Sequence, residues 1–170
     1  MGRVLGLEEL LRLRREWASQ GKTVVVTNGC FDLLHVGHAR YLREARSMGD
    51  LLVVGLNDDA SVRRLKGPSR PIMGQDDRAE LLAALDCVDY VVIFTEDTAT
   101  DLVATVQPDV YVKGGDYGEG GKELPEAGTV RGYGGRIELV PLVAGRSTTD
   151  LVQQILTRCA SQPADREQDP

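Results

Sequence analysis

A β-rich apolar run at residues 23–26 leads directly into Thr27-Asn28-Gly29-Cys30-Phe31-Asp32-Leu33-Leu34-His35-Val36-Gly37-His38, and a helical pattern at residues 39–48 follows. A strand therefore ends and a helix begins within this stretch. Such a junction is where open α/β sheets bind ligands, and the free N–H groups of a helix start hold phosphate well. Both histidines of the chain lie here, three residues apart. On a first helical turn that spacing puts them on one face, and Gly37 between them lets a ligand approach the backbone. Asn-Gly is a hairpin signal, but the segment that follows is helical. A His-x-x-His pair also suits zinc, yet a structural site wants about four ligands. Cys30, Cys87 and Cys159 have no paired spacing to complete one. No protein-held metal is expected; the stretch reads as a nucleoside triphosphate site, with Asn28, Gly29, Cys30, Phe31 and Gly37 as candidate nucleotide contacts.

Four further runs, at residues 51–57, 89–94, 109–113 and 136–141, read as strands. The first is continuously apolar, as a buried parallel strand should be. Helical patterns lie between and around them, at residues 7–19, 75–85, 98–106, 125–133 and 149–159, with a short helix after Asn57. Leu7, Leu10, Leu11 and Trp17 are expected inward on the first, and Leu81, Leu82 and Leu85 on the second. This alternation predicts an α/β fold: a doubly wound, Rossmann-like sheet of five parallel strands with helices on both faces. A chain of 170 residues suits one compact domain. The expected division is an N-terminal helix over residues 1–20, a nucleotide-handling domain over 21–159 and a polar, disordered tail over 160–170.

The ends of the strands carry the other candidate groups. Asn57, Asp58 and Asp59 arrive at the same sheet edge as the histidines. Asp59 or Ser61 is placed to cap the next helix, and Asn57 is a candidate contact to the sugar or its phosphate. Residues 63–70 hold four cations, Arg63, Arg64, Lys66 and Arg70, with no acid. Next to a phosphate site such a loop neutralises negative charge; elsewhere it is a solvated surface. Lys66 and Arg70 lead, Lys66 as a catalytic group and Arg70 as a ligand of the substrate phosphate. Pro68 and Pro71 restrict the backbone into an ordered flap. Arg78 either reaches the site or pairs at the surface. Residues 114–121 are glycine-rich but match no phosphate-loop motif, since no helix follows a Gly-x-Gly-x-x-Gly and Lys122 precedes Glu123. Ser147, Thr148 and Thr149 precede the last helix, where hydroxyls cap the helix and also suit β- and γ-phosphates.

The formal charge of −6 disfavours a nucleic-acid partner. Three scattered cysteines, no signal peptide and no bilayer-length apolar run point to a cytoplasmic protein with no membrane association.

Gly29-Cys30-Phe31-Asp32-x-x-His35-x-Gly37-His38 resembles the signature of the cytidylyltransferase-like nucleotidyltransferases. Its histidine pair is also similar to the HIGH sequence of class I aminoacyl-tRNA synthetases. The longer string from Thr27 to Leu42 looks most like heptose 1-phosphate adenylyltransferases. Asn57-Asp58-Asp59-Ala60-Ser61, Arg64-Leu65-Lys66-Gly67, Val112-Lys113-Gly114-Gly115-Asp116-Tyr117 and Ser147-Thr148-Thr149 extend the resemblance over residues 21–155. It implies that Lys113, Gly114 and Asp116 line the nucleotide pocket. It also implies transfer of AMP from ATP to a heptose 1-phosphate, with Mg²⁺ accompanying the triphosphate, held mostly by phosphates and water. His35 and His38 would donate hydrogen bonds to the α- and β-phosphates. Asp32 is a supporting group rather than a metal ligand. A separate sugar kinase and a homo-oligomer are further implied. One segment departs from the pattern: glycerol- and choline-phosphate cytidylyltransferases carry Arg-Thr-Glu-Gly-Ile-Ser-Thr, whereas here Leu142-Val143-Ala144-Gly145-Arg146-Ser147-Thr148 stands. The displaced Arg146 agrees better with the heptose branch and is a candidate substrate-phosphate ligand. CTP with an alditol or other sugar phosphate, and a non-catalytic nucleotide-binding module, are the alternatives.

Overall fold

The computed structural model describes residues 1–115, 124–141 and 147–160. In chain order the elements are β1 (Arg3–Leu5), α1 (Leu7–Ser19), β2 (Val24–Gly29), α2 (Val36–Arg46), β3 (Leu51–Asn57), α3 (Asp59–Lys66) and α4 (Gln75–Ala83). They continue with β4 (Tyr90–Phe94), α5 (Thr100–Val106), β5 (Val110–Gly114), α6 (Ala127–Gly132), β6 (Arg136–Val140) and α7 (Thr148–Ala160). The expected five parallel strands are present. A sixth joins them among the described residues, giving the order β1-β4-β3-β2-β5-β6, parallel throughout. The additional strand, β1, is a three-residue edge strand paired only with β4, and of its residues Leu5 alone is buried. Three residues are too few to show a period.

Side chains alternate along each strand, so both faces are apolar. Val25, Leu52, Val54 and Val112 pack under α2 and α4 with Leu42, Ala45, Ala79 and Leu82. Val24, Val26, Val53 and Tyr111 pack under α1, α5 and α6 with Leu10, Trp17, Leu102, Val103 and Val130. Two inward expectations are corrected. Leu7 is 40% and Leu81 42% exposed. The buried stripe of α4 runs through Arg78, Ala79, Leu82 and Ala83, which turns Leu81 outward. From β2 the chain builds β3 and β4 on one side, then crosses to lay β5 and β6 on the other. The crevice above β2 and β5 is therefore the topological switch point, where such sheets bind ligands.

Candidate active site

Beyond β2 the backbone turns sharply at Phe31, whose φ of 43° lies in the left-handed region that non-glycine residues avoid. The turn buries the Phe31 ring and sets it edge-on to His38, with centroids 5.2 Å apart. His35 is extended and forms the N-cap of α2, so the helix begins at Val36, three residues earlier than the pattern at 39–48 suggests. His38 follows in the first turn. The two imidazoles stack at 3.8 Å between centroids, with planes 21° apart. Burial, followed by the neighbouring His35, pushes the His38 pKa down to about 4. His38 is thus neutral at physiological pH, and its Nδ1 is buried without a hydrogen-bond partner. Leu34, Val36, Ala39 and Leu85 complete a cavity of about 300 Å³ beside the two rings.

On the other face of the sheet edge, Asn28 Oδ1 accepts from Tyr111 Oη and Lys113 Nζ, each at 2.6 Å. Burial lowers the Lys113 pKa; Glu126 and Cys30 oppose that shift. Gly55 makes the packing possible, since a Cβ there would lie 2.6 Å from Leu102 Cδ2 and 3.2 Å from Asn28 Cβ. Gly114 ends β5 beside these groups.

The basic segment is built from below. Asp32 Oδ2 accepts from Arg70 Nη1 at 2.7 Å, and its Oδ1 accepts the N–H groups of Ile72 and Met73 at 2.8 and 3.1 Å. Arg78, with a fully buried side chain, donates to the carbonyls of Met73 and Cys30 and pairs with Asp59 Oδ1 at 2.8 Å. Asp32 and Arg78 thereby stitch the histidine loop, the 70–73 segment and the start of α3 into one unit. Arg64 is engaged by Asp97 and the Thr95 carbonyl. Lys66 has no ion pair among the described residues, and its charge acts on Cys30, whose thiol burial pushes up.

The remaining candidates are placed unevenly. Asn57 is 3% exposed, and its amide donates to Ser61 Oγ and the Glu96 carbonyl, both at 3.2 Å. The cap of α3 is Asp58, which accepts the Ser61 N–H at 2.7 Å, in place of the expected Asp59 or Ser61. Asp59 is held by Arg78 instead. Ser147 shares a reciprocal cap with Asp150 at the start of α7. Thr148 Oγ1 reaches the Leu33 carbonyl at 3.5 Å, which brings α7 to the histidine loop, and Thr149 is exposed beside it. Asp116 and Arg146 lie outside the described residues, as does the tail from residue 161. Sequence reasoning did not single out Tyr111 or Glu126, and left Arg78 between site and surface. Its burial was signalled only by sharing a helix face with Leu82.

A family profile described as cytidylyltransferase-like matches residues 26–154, spanning the histidine junction, the switch point and the start of α7. The chain belongs to this family. Among curated relatives, a bifunctional protein HldE from Syntrophotalea carbinolica is 57% identical over 155 residues, covering 89% of this chain and 30% of its own length. The Geobacter sulfurreducens protein of that name is 57% identical over 157 residues, covering 91% and 31%. The chain thus spans about a third of the length of these relatives. Among solved structures, a lipopolysaccharide core biosynthesis protein from Thermoplasma volcanium superposes with a TM-score of 0.58 at 31% identity, covering 72% of this chain and 98% of that one. A pantoate–β-alanine ligase from Francisella tularensis shares the fold alone, at a TM-score of 0.57 and 11% identity. The cytidylyltransferase-like assignment accounts for where the polar groups collect: at the carboxyl ends of β2 and β5, on both faces of the sheet.

Proposed function

We propose that this cytidylyltransferase-like chain transfers AMP from MgATP to a heptose 1-phosphate, releasing pyrophosphate and giving an ADP-heptose. The observation that carries the proposal is the stacked His35–His38 pair, seated at the first turn of α2 beside the switch point. A phosphate oxygen of the sugar attacks the α-phosphorus in line, and the bond from that phosphorus to the β-bridging oxygen breaks. The attacking phosphate is already ionised, so no protein nucleophile is required. The task is alignment and stabilisation of charge in the transition state.

A neutral His38 suits this role, because its ring still offers an N–H to a phosphate oxygen, and His35 offers a second. The free N–H groups of α2 add to them. Lys113 and Asn28 hold the nucleotide from the opposite face, with Gly114, Asp116 and the hydroxyls of Ser147, Thr148 and Thr149 around it. Lys66 completes the catalytic set, and Arg70, Asn57 and Arg146 are assigned to the substrate phosphate. Arg70 must share its guanidinium with Asp32, and Asn57 must give up an internal hydrogen bond, to act there. Mg²⁺ arrives with ATP as part of the substrate. Both Asp32 oxygens are already engaged by protein donors. We further propose that a distinct phosphorylating activity supplies the sugar 1-phosphate and that the setting is cytoplasmic. Among the described residues no helix is long and apolar enough to cross a membrane.

A pyrophosphate-release screen of ATP, CTP and GTP against heptose 1-phosphates and alditol phosphates tests the proposal. Turnover with ATP and a heptose 1-phosphate supports it. Turnover with CTP and an alditol phosphate, or tight ATP binding without pyrophosphate release, would replace it.

A further inference from the structure

Tyr111 is fully buried on β5, and its hydroxyl takes no part in the chemistry above. A buried phenol needs a hydrogen-bond partner, and here the partner is a residue of the site. Parallel pairing sets Tyr111 opposite Val26 and Val112 opposite Thr27. Side chains return to one face every second residue, so Asn28 and Lys113 project on the same side as Tyr111, one step nearer the carboxyl end of the sheet. Tyr111 and Asn28 are thus diagonal neighbours across the strands, a span that an aromatic side chain covers. Tyr111 Oη donates to Asn28 Oδ1 at 2.6 Å, and Lys113 Nζ donates to the same oxygen at 2.6 Å. An ammonium can only donate, so the atom it meets is the carbonyl oxygen, and the amide has one orientation. Neither bond uses Nδ2. That group makes no hydrogen bond among the described residues and is not buried, which leaves it open to the crevice above β2 and β5.

We propose that Tyr111 is a positioning residue: with Lys113 it holds the Asn28 carboxamide oxygen-inward, so that Nδ2 presents its N–H donors to an acceptor oxygen of the nucleotide. The proposal rests on the nucleotide contact given to Asn28 above. A free carboxamide turns over readily and offers a ligand either its oxygen or its nitrogen. Here a flip would set the amino group against the Lys113 ammonium, donor to donor, and is disfavoured. Phosphate and ribose oxygens accept from an N–H, whereas a carbonyl turned outward would repel them. An amide fixed before the nucleotide arrives also has less freedom to lose on binding. The two donors on Oδ1 contribute differently. Lys113 carries charge on a flexible four-carbon stem. The Tyr111 ring is packed in the core under α1, α5 and α6, which makes its hydroxyl the fixed point from which the amide is aimed.

Tyr111→Phe keeps the ring in the core and removes only the hydroxyl. In that variant the dissociation constant for ATP is expected to rise about fivefold. In an Asn28→Ala background the same change is expected to leave ATP binding unaltered, because no amide remains to be held. A merely structural hydroxyl would act alike in both backgrounds, so equal losses, or none in either, overturn the proposal. Tripolyphosphate and adenosine, titrated separately, locate the acceptor: a loss shared by the first puts it on a phosphate, a loss shared by the second on the nucleoside. Asn28→Asp sets an acceptor oxygen where Nδ2 stands, and ATP bound as tightly as by the wild type would overturn the proposal as well. A last measurement needs no ligand. Relaxation of the Asn28 side-chain amide, followed by NMR, is expected to show a rigid group in the wild type and a looser one in Tyr111→Phe; an amide equally rigid in both overturns the proposal. Read on the free protein, it decides the role of Tyr111 separately from the nucleotide reading, which fails on its own if the wild type binds no ATP.

Discussion

The histidine junction and the Asp32–Arg78 underpinning meet at the same loop, yet they are built on opposite terms. Around Arg78 every described charge has an answer: Asp59, two backbone carbonyls, and nearby the three donors that converge on Asp32. Six residues further along the loop, His38 is half-buried, held neutral and left with an unpartnered ring nitrogen. Phe31, next to Asp32 in the chain and edge-on to His38, occupies a left-handed backbone conformation. Satisfied polar groups stabilise a fold, whereas unsatisfied ones and strain persist where a ligand is to complete them. The comparison assigns stability to one region and function to the other, and each assignment has its own test.

The largest effect is expected at Arg78. Arg78→Met removes the guanidinium but leaves Asp59 and the Cys30 and Met73 carbonyls in place, at a cost of about 3–5 kcal/mol of unfolding free energy. Urea denaturation measures this directly. A variant as stable as the wild type would show that the buried pair is not what joins the histidine loop to α3. Next come His35→Ala and His38→Ala. Each is expected to lower kcat by about 10²–10³, or roughly 3–4 kcal/mol of barrier, while the urea midpoint stays near that of the wild type. If turnover were near normal, or if activity fell only in step with stability, the division between the two regions would fail.

How far each region could be read from the sequence follows the same line. The β2–α2 junction announces itself because its residues are adjacent in the chain and unusual in kind. The five longer strands declare themselves through apolar runs long enough to show a period; Arg3–Leu5 does not. Arg78 stays open between site and surface in the sequence because a lone arginine carries no mark of its partners, and those lie up to 48 residues away. The same holds for Asn28 with Lys113, 85 residues apart, and for Glu126 with Ala99. Groups that meet only through sheet crossovers leave no local pattern. Asn57 shows a converse limit: its place at a strand end suggests a ligand contact, but not that its amide already donates to Ser61 and Glu96.

A smaller effect sharpens the contrast through pH. The folded His38 titrates at about 4, against 6.5 for the ordinary side chain. Between these values the unfolded chain takes up a proton that the folded chain refuses, so stability falls as pH drops from 6.5 toward 4. The share due to His38 is roughly 3 kcal/mol. Carboxylates add an acid slope of their own, so the quantity to measure is the difference in that slope between the wild type and His38→Gln. Equal slopes would mean that His38 is not held neutral. A bound triphosphate should reverse part of the difference, since phosphate oxygens favour the protonated ring.

The smallest effect is expected where the site meets α7. This helix carries exposed Ile155 and Leu156 and meets the histidine loop at its first turn, through Thr148 and the Leu33 carbonyl. A helix of 13 residues is marginal on its own, so its N-terminal cap matters more than it would in a well-packed element. Ser147→Ala removes the reciprocal cap with Asp150, at a cost of about 1 kcal/mol. That loss should appear as faster amide exchange confined to residues 148–160, with α2 and β2 unchanged. If exchange instead rose across the histidine loop as well, Thr148 and Leu33 would be coupling the two. The start of α7 would then belong with the functional region rather than lie beside it.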